Sequence, residues 1–255
     1  MLIHQTAEKL KQMRLHGMAE CLLNQSSQAD PELSFEERLG LLVDYEWTCR
    51  QNRKLQRLLK GAKFKLNACM EDIDYQHPRG LDKKLIHALK KGEWLLEHRN
   101  VIFTGPTGTG KTFLSCALGN LACRLGFPTR YYKLSALLSD LKISRGDGSY
   151  PKFSSKLAKT HLLIIDDFGL ERLSPADSKE LFEIIDDRVN SASTIIAGQL
   201  PLEHWHSVLG EPTIADAILD RLVHSSYKFL LKGGSMRKNE LNQDDPYDTT
   251  KEKKE

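Results

Sequence analysis

Residues 105–112, GPTGTGKT, have the types and spacing of a phosphate-binding loop. They match G-x-x-x-x-G-K-[ST] and lie between the apolar run VIFT and the helical pattern FLSCALGNLACRLG, the order strand, loop, helix that this motif requires. The glycines let backbone N–H groups turn inward around phosphate oxygens, and the start of the next helix adds partial positive charge. A glycine-rich turn without a ligand is the alternative, which the flanking strand and helix disfavour.

The residue types within the loop predict ATP and Mg²⁺ as cofactors. Lys111 is expected to reach the β- and γ-phosphates as a catalytic cation, and the Thr112 hydroxyl to bind Mg²⁺. The predicted nucleotide-binding residues are Gly105, Pro106, Thr107, Gly108, Thr109, Gly110, Lys111, Thr112 and Phe113.

A second element with chemical potential is LLIIDD at 162–167. Four apolar residues predict a buried strand that delivers Asp166 to its carboxyl end, where α/β sheets bind ligands, so Asp166 is predicted to hold Mg²⁺ directly or through water. The side chain of Asp167 is expected on another side of the strand end from that of Asp166, where it could orient or deprotonate the attacking water. A solvated acid at the strand end is the alternative role for Asp167.

Three later residues are candidates for contact with the phosphates. Gln199 follows the apolar run STIIAG and could contact the γ-phosphate or the attacking water, or simply cap a loop. Arg221 lies on an amphipathic helical pattern whose apolar positions already cover the core face, which would leave it free to act in trans on a neighbouring subunit. An ion pair with Asp216 or Asp220 is the alternative. Arg237, after two glycines, could reach the same phosphates or be a solvated loop cation.

The elements that must position these residues are short apolar runs alternating with helical patterns. Five such runs with intervening helices predict a parallel sheet covered on both faces. Ser174 as N-cap, Pro175 at the first helical position and Asp177 in the first turn predict a helix from 175 to 190. The predicted strands are Val101–Thr104, Thr129–Lys133, Leu162–Asp166, Thr194–Ala197 and Tyr227–Leu231.

The first 70 or so residues are predicted to be helical. Ser34 and Glu37 form a capping box ahead of an apolar pattern that ends near Gly61. Pro78 and Gly80 then interrupt any helix, so a helical domain over 1–75 is expected to precede a second domain over 76–238. Residues 239–255 have almost no apolar content and are predicted to form a disordered charged tail.

Composition limits the class of protein. The five cysteines are scattered and form no C-x-x-C pair, which indicates neither a disulfide framework nor a zinc site. Charges interrupt the apolar positions of the N-terminus, and no run reaches membrane-spanning length, so a cytoplasmic protein without membrane contact is expected.

Positive charge is concentrated rather than general. The net charge is only +3, but residues 50–65 carry seven Lys or Arg and no acid. Helical spacing places Arg50, Arg53, Lys54 and Arg57 on one stripe suited to DNA phosphates without base readout. A solvated charged face is the alternative.

These motifs, in this order, resemble the AAA+ ATPases. The detail is most similar to the IstB-like helper ATPases of insertion-sequence transposition, with helicase loaders of the DnaC type as near relatives. The segments that carry the resemblance cover nearly the whole chain: LSFEERLGLLVDYEW, RQNRKLQRLLK, NVIFTGPTGTGKT, LLIIDDFG, STIIAGQLP and ILDRLVHSSYKFLLKGGSMRK.

The resemblance implies an α/β P-loop NTPase core of AAA+ type with a five-stranded parallel sheet, a small helical domain before it and no full C-terminal lid. It also implies a homo-oligomer on duplex DNA, with ATP at the subunit interface and Arg221 as the arginine finger, that recruits a partner transposase. A second DNA-facing element is expected in the polar loop at 141–156, which carries Lys142, Arg145, Lys152 and Lys156.

Two departures from the general AAA+ pattern bear on activity. Asp167 stands where most members have Glu, and Gln199 where Asn or Thr is usual, so hydrolysis is expected to be slow or to need activation. Helicase loading, a P-loop kinase and a nucleotide-gated scaffold with negligible turnover are the alternative functions. The kinase hypothesis explains neither the cationic helix nor an arginine acting in trans.

Overall fold

The structure is a computed structural model, and it describes residues 2–27 and 33–236. The chain divides into two compact units, residues 1–58 and 59–255. The helices are α1 Leu2–Gln12, α2 His16–Ser27, α3 Phe35–Ala62, α4 Lys83–Lys90, α5 Glu93–Leu96, α6 Lys111–Arg124, α7 Leu134–Gly146, α8 Tyr150–Ala158, α9 Pro175–Asp186, α10 Trp205–Val208 and α11 Pro212–Val223. The strands are β1 Asn100–Thr104, β2 Thr129–Lys133, β3 Leu162–Phe168, β4 Ser193–Gly198 and β5 Ser226–Leu230, and short 3₁₀ turns occupy Met70–Asp72 and Leu202–His204.

The first unit is helical, as predicted. The capping box forms, since the Ser34 backbone N–H and hydroxyl both donate to the Glu37 carboxylate at 2.8 Å. The buried Glu46 carboxylate on α3 accepts the backbone N–H groups of Gly17 and Met18 at the start of α2. This contact satisfies donors that the first turn of a helix leaves unpaired.

The second unit is built on a five-stranded parallel sheet in the order β2-β3-β4-β1-β5. The predicted parallel α/β fold is therefore confirmed, and each predicted strand is found within two residues of its expected bounds. Because all strands run the same way, the residues that follow β1, β3 and β4 meet at one edge of the sheet. We call this the carboxyl edge and the opposite one the amino edge.

Two apolar cores cover the two faces of the sheet, because successive side chains of a strand point to opposite faces. Val101 and Phe103 of β1 lie in the core that contains α6, whereas Ile102 lies in the core that contains α7, α9 and α11. Strand β3 alternates in the same way, and its first four residues are fully buried. The near-continuous apolar runs of the sequence reflect burial on both faces.

The structure corrects three sequence-based boundaries. The division between units lies at 58/59 rather than 75/76, because Ala68, Met70 and Ile73 pack into the core of the sheet-containing unit. Helix α9 ends at Asp186 rather than at residue 190, and the chain turns there with Asn190 in the left-handed region at φ 57°. Residues 141–156 are not a loop, because they form the end of α7 and most of α8.

The predicted charged tail at 239–255 lies outside the described residues, as does Arg237. Over 2–27 and 33–236, no helix is long and apolar enough to cross a membrane.

Candidate nucleotide site

The glycine-rich loop connects β1 to α6 in the order that the motif predicts. Gly105, Gly108 and Gly110 all have positive φ angles, and a Cβ at Gly105 would collide with the backbone carbonyl of Leu231. Only glycine avoids both the conformational penalty and the collision at this position. The loop therefore takes the conformation in which its backbone can surround a phosphate group.

Lys111 is the first residue of α6 and is 9% exposed. Its Nζ donates to the backbone carbonyls of Gly105 and Pro106, each at 2.7 Å. These contacts fold the ammonium back over the loop, where phosphate oxygens can replace neutral carbonyls as stronger, charged acceptors.

Asp166 is 2% exposed and joins the acid strand to the glycine-rich loop. Its Oδ2 accepts the Thr112 hydroxyl at 2.7 Å and the Tyr131 hydroxyl at 2.7 Å, while its Oδ1 accepts the backbone N–H of Asp167 at 2.9 Å. Thr112 and Asp166, the two predicted Mg²⁺-binding residues, thus lie in direct contact although 54 positions separate them.

Asp167 has an unusual backbone conformation with a functional consequence. Its φ is +58°, and the pairing of β3 with β4 shifts register between Ile165 and Phe168. This bulge turns the Asp167 side chain away from the strand alternation. Its Oδ2 lies 3.2 Å from Lys133 Nζ at the end of β2, so the predicted general base is already ion-paired.

A cavity of about 600 Å³ contains most of the predicted nucleotide-contacting residues. Its lining includes Lys111, Thr112, Asp166, Asp167 and Gln199, so it borders both the glycine-rich loop and the carboxyl ends of β3 and β4. The lining also includes residues that were not predicted as site residues: Lys65, Leu66, Asn67, Asp72, Asp74, His77 and Arg79.

Arg79 is a cation that was not predicted as a site residue, although it is only 1% exposed and lines the cavity. Its guanidinium donates to the carbonyls of Thr109 and Asp74 and lies 3.1 Å from the sulfur of Met236. Burial lowers the pKa of Arg79. Its position between Pro78 and Gly80 favoured a domain linker, and no sequence signal distinguished it from a solvated loop cation.

Arg221 lies at the amino edge, since its carbonyl accepts the Asn100 amide at the first residue of β1. Its Nε lies 2.6 Å from Asp186 on α9, its Nη1 donates to the Ala217 carbonyl, and its guanidinium covers the Phe182 ring at 4.8 Å. The expectation of an unpaired Arg221 was wrong, and its partner is neither Asp216 nor Asp220. Within its own chain Arg221 is at the wrong edge for the glycine-rich loop.

The candidate DNA-binding residues fall into two groups. Some are held by acids: Arg50 pairs with Glu46 at 2.7 Å, Lys142 with Asp177 at 2.7 Å, and Arg145 with Glu180 and Glu183. The others, Arg53, Lys54, Arg57 and Lys152, are exposed, as is Lys156. The ion pairs with acids of α9 were not predicted, because residues 141–156 were expected to form a loop.

A family model of IstB-like ATP binding proteins matches residues 8–244 of the chain. The chain belongs to this family. The insertion sequence ATP-binding protein y4pL of Sinorhizobium fredii is 44% identical over 241 residues, which cover 94% of this chain and 98% of that protein. The ATP-binding assignment of the IstB-like family agrees with the geometry of the glycine-rich loop.

Solved structures support the AAA+ fold of this IstB-like protein. The crystal structure of the DnaC helicase loader superposes with a TM-score of 0.54 at 24% identity and covers 67% of this chain and 100% of that chain. The structure of AMPPCP-bound DnaA from Aquifex aeolicus gives a TM-score of 0.57 at 18% identity and covers 71% and 56% of the two chains. At these identities the likeness concerns the fold alone.

The side chains present fit a magnesium–nucleotide complex. Mg²⁺ prefers oxygen ligands and is usually held by one or two protein groups, with phosphate oxygens and water completing the shell. Thr112 and Asp166 supply such oxygens beside the phosphate-binding loop. Among the described residues there is no cluster of three or more His, Cys, Asp or Glu that would hold a metal by protein ligands alone.

Proposed function

We propose that this IstB-like protein is a Mg²⁺-dependent ATPase that assembles on duplex DNA and recruits or stimulates a partner transposase. The observation that carries the ATPase part is the 2.7 Å contact between Thr112 and Asp166, which joins the glycine-rich loop to the acid strand inside one cavity. This is the arrangement in which a loop hydroxyl and a strand carboxylate share a metal.

The cavity residues that were predicted to act on the phosphates have separate roles in the proposed hydrolysis. Lys111 and the loop N–H groups would hold the phosphates. Thr112 and Asp166 would hold Mg²⁺, which would neutralise the negative charge that develops on the phosphate oxygens. Asp167 and Gln199 line the same cavity and would orient water. Because Asp167 is paired with Lys133, its carboxylate must exchange partner first, which favours slow basal turnover.

Arg221 would act on the nucleotide of a neighbouring subunit. Its place at the amino edge excludes a role at the phosphates of its own chain, so a catalytic Arg221 requires an oligomer that brings this edge to a second cavity. An arginine supplied in trans can raise hydrolysis by a factor of roughly 10³ to 10⁵. Efficient hydrolysis would then require the oligomer, because only assembly brings Arg221 to a nucleotide.

The proposed DNA contact rests on cations that form no ion pair with an acid among residues 2–27 and 33–236. In the first unit these are Arg53, Lys54 and Arg57, all exposed on α3. In the second unit, burial and the nearby cations Arg130 and Lys63 lower the pKa of Lys156, with Lys152 also contributing. The repulsion between neighbouring cations falls when they bind DNA phosphates, and contacts of this kind do not depend on the base sequence.

The proposed partner rests on the family. The y4pL relative is described as an insertion sequence ATP-binding protein, and the resemblance to the IstB-like helper ATPases implies a transposase of the same element as the partner. A helicase loader would show the same DNA-stimulated hydrolysis, so identity of the partner has to be tested separately. The DnaC likeness supports this alternative only at the level of the fold.

The test is steady-state ATP hydrolysis together with sedimentation, with and without duplex DNA, on the wild type and Arg221→Ala. We expect ATP and DNA together to drive assembly and to stimulate turnover. Arg221→Ala should keep nucleotide binding and lose the stimulated turnover by 100-fold or more, because the arginine contributes only across an interface.

Arg124→Ala is the matched control, since Arg124 is also an exposed arginine with a single carboxylate partner, Glu71. Its turnover and assembly should equal those of the wild type. A protein that stays monomeric with ATP and DNA would refute the assembly proposal, and an Arg221→Ala protein with normal stimulated turnover would refute the role of Arg221 in trans.

A further inference from the structure

Tyr131 is a buried tyrosine whose hydroxyl contacts the predicted metal-binding acid. It lies on β2, which pairs with β3 in parallel register, and its side chain reaches across to Asp166. The Tyr131 hydroxyl lies 2.7 Å from Asp166 Oδ2, the same oxygen that accepts the Thr112 hydroxyl. Tyr131 is 8% exposed and Asp166 2%, so water competes little for this bond.

The direction of this hydrogen bond is fixed by the two groups that form it. A carboxylate oxygen can only accept, and the phenol hydroxyl carries a proton to donate, so Tyr131 is the donor to Asp166 Oδ2. Because both side chains are buried, a donor lost from this oxygen would not be replaced readily by water.

The donors divide unequally between the two carboxylate oxygens. Oδ2 accepts both Thr112 and Tyr131, which occupies the two lone pairs of that oxygen. Among the residues that the structure describes, Oδ1 accepts the backbone N–H of Asp167 alone, which leaves it one lone pair. The tyrosine thus leaves Oδ1 as the oxygen able to face a metal or a metal-bound water.

The same bond also fixes the Thr112 hydroxyl. Because Thr112 donates its only proton to Oδ2, its own lone pairs remain available on the cavity side. Without Tyr131, Oδ2 would have a spare lone pair and the carboxylate could rotate. Both candidate metal ligands would then lose their defined orientation.

We propose that Tyr131 is a positioning residue that holds Asp166 and, through it, Thr112 in the orientation that binds Mg²⁺ together with the nucleotide. The proposal rests on the Mg²⁺-dependent nucleotide binding of the proposed function. Outer-shell partners of metal ligands typically change metal affinity by roughly 10- to 100-fold when removed.

The test is Tyr131→Phe, which removes the hydroxyl and keeps the ring in the core. ATP binding is measured by calorimetry in EDTA and then across a Mg²⁺ titration, and thermal unfolding of the nucleotide-free protein is recorded. We expect ATP affinity in EDTA to stay within about twofold of the wild type, while the Mg²⁺ concentration for half-maximal binding rises about tenfold.

Tyr132→Phe is the matched control on the same strand. Tyr132 is half-buried against the edge of Phe153, away from Asp166, and should leave both values unchanged. A double-mutant cycle adds a readout that a packing role would not produce. In an Asp166→Asn background, Tyr131→Phe should not change the Mg²⁺ requirement further, because its effect acts through that carboxylate.

Three results would overturn the proposal. One is a Tyr131→Phe protein with the Mg²⁺ requirement of the wild type. Another is an equal loss of ATP affinity with and without Mg²⁺, which would indicate a distorted cavity. The third is an additive effect in the Asp166→Asn background. A wild type that does not bind ATP at all would instead refute the proposed function, so the two failures are distinguishable.

Discussion

The carboxyl and amino edges of the sheet both carry cations of low exposure, but the two edges use them differently. At the carboxyl edge, Lys111 contacts two carbonyls of a glycine-rich loop that borders a cavity of about 600 Å³. At the amino edge, Arg188 is 4% exposed and donates to the carbonyls of Leu157, Thr160, His161 and Ser193 and to the Thr194 hydroxyl. One cation faces a space for a ligand, and the other ties together the ends of strands.

The difference shows that burial of a charge does not by itself indicate a binding site. Burial lowers the pKa of Arg188 to about 10, yet the guanidinium remains charged at neutral pH and its donors are occupied by the protein. Lys111 contacts loop carbonyls that phosphate oxygens can replace. What separates a structural from a ligand-binding cation here is the adjoining cavity and the charge of the best available acceptor.

The largest effect on folding should come from Arg188→Met, which keeps most of the side-chain volume and removes the donors. Four backbone carbonyls near the amino edge would lose a partner, and unpaired buried acceptors cost about 1–3 kcal/mol each before relaxation. We expect the free energy of unfolding to fall by about 3 kcal/mol or more, measured from urea denaturation. Arg124→Met, at an exposed ion pair, should change it by less than about 1 kcal/mol. Equal effects of the two variants would contradict the structural role of Arg188.

The next effect in size concerns Lys111→Ala, which should leave the unfolding midpoint nearly unchanged and weaken ATP binding by about 100-fold or more. Removing the ammonium costs charge-assisted contacts with phosphate, whereas the carbonyls of Gly105 and Pro106 that it contacts belong to the glycine-rich loop itself and do not join separate strands. Calorimetric titration with Mg²⁺ and ATP measures the affinity. Lys179→Ala, at an exposed lysine of α9, is the control and should bind ATP normally. If the Lys111→Ala protein is strongly destabilised without nucleotide, then Lys111 is also a structural cation, and the contrast with Arg188 fails.

The smallest effect is expected for Asp186→Asn, which releases Arg221 from its ion pair. The two side chains are 30% and 49% exposed, so the pair stabilises the fold by less than about 1 kcal/mol. If Arg221 acts in trans, the same loss favours its transfer to a neighbouring subunit, and DNA-stimulated ATP turnover should rise by up to about fivefold. Sedimentation checks that assembly is retained. Unchanged or lower stimulated turnover would indicate that Asp186 does not compete for Arg221.

Much of the fold could be predicted because its signals are local. Runs of four or five residues, most of them apolar, placed all five strands of the sheet, and the capping box and the Ser174 N-cap placed helix starts. The errors arose where long-range packing decides. Residues 68–73 were assigned to the helical domain over 1–75 but complete the core of the second unit. Residues 141–156 were expected to be a polar loop but form helices that pair with acids of α9.

The sequence by itself determined the phosphate-binding loop, the Thr112 hydroxyl and the acid at the end of β3, because these depend on spacing within one strand–loop–helix or on one apolar run. Only the tertiary structure decided that Tyr131 contacts Asp166, that Arg79 contacts the glycine-rich loop at Thr109 and that Arg221 is held by Asp186. These contacts join residues 30 to 35 positions apart on separate elements. No local pattern encodes them, since they follow from the order in which the parallel strands and their helices pack.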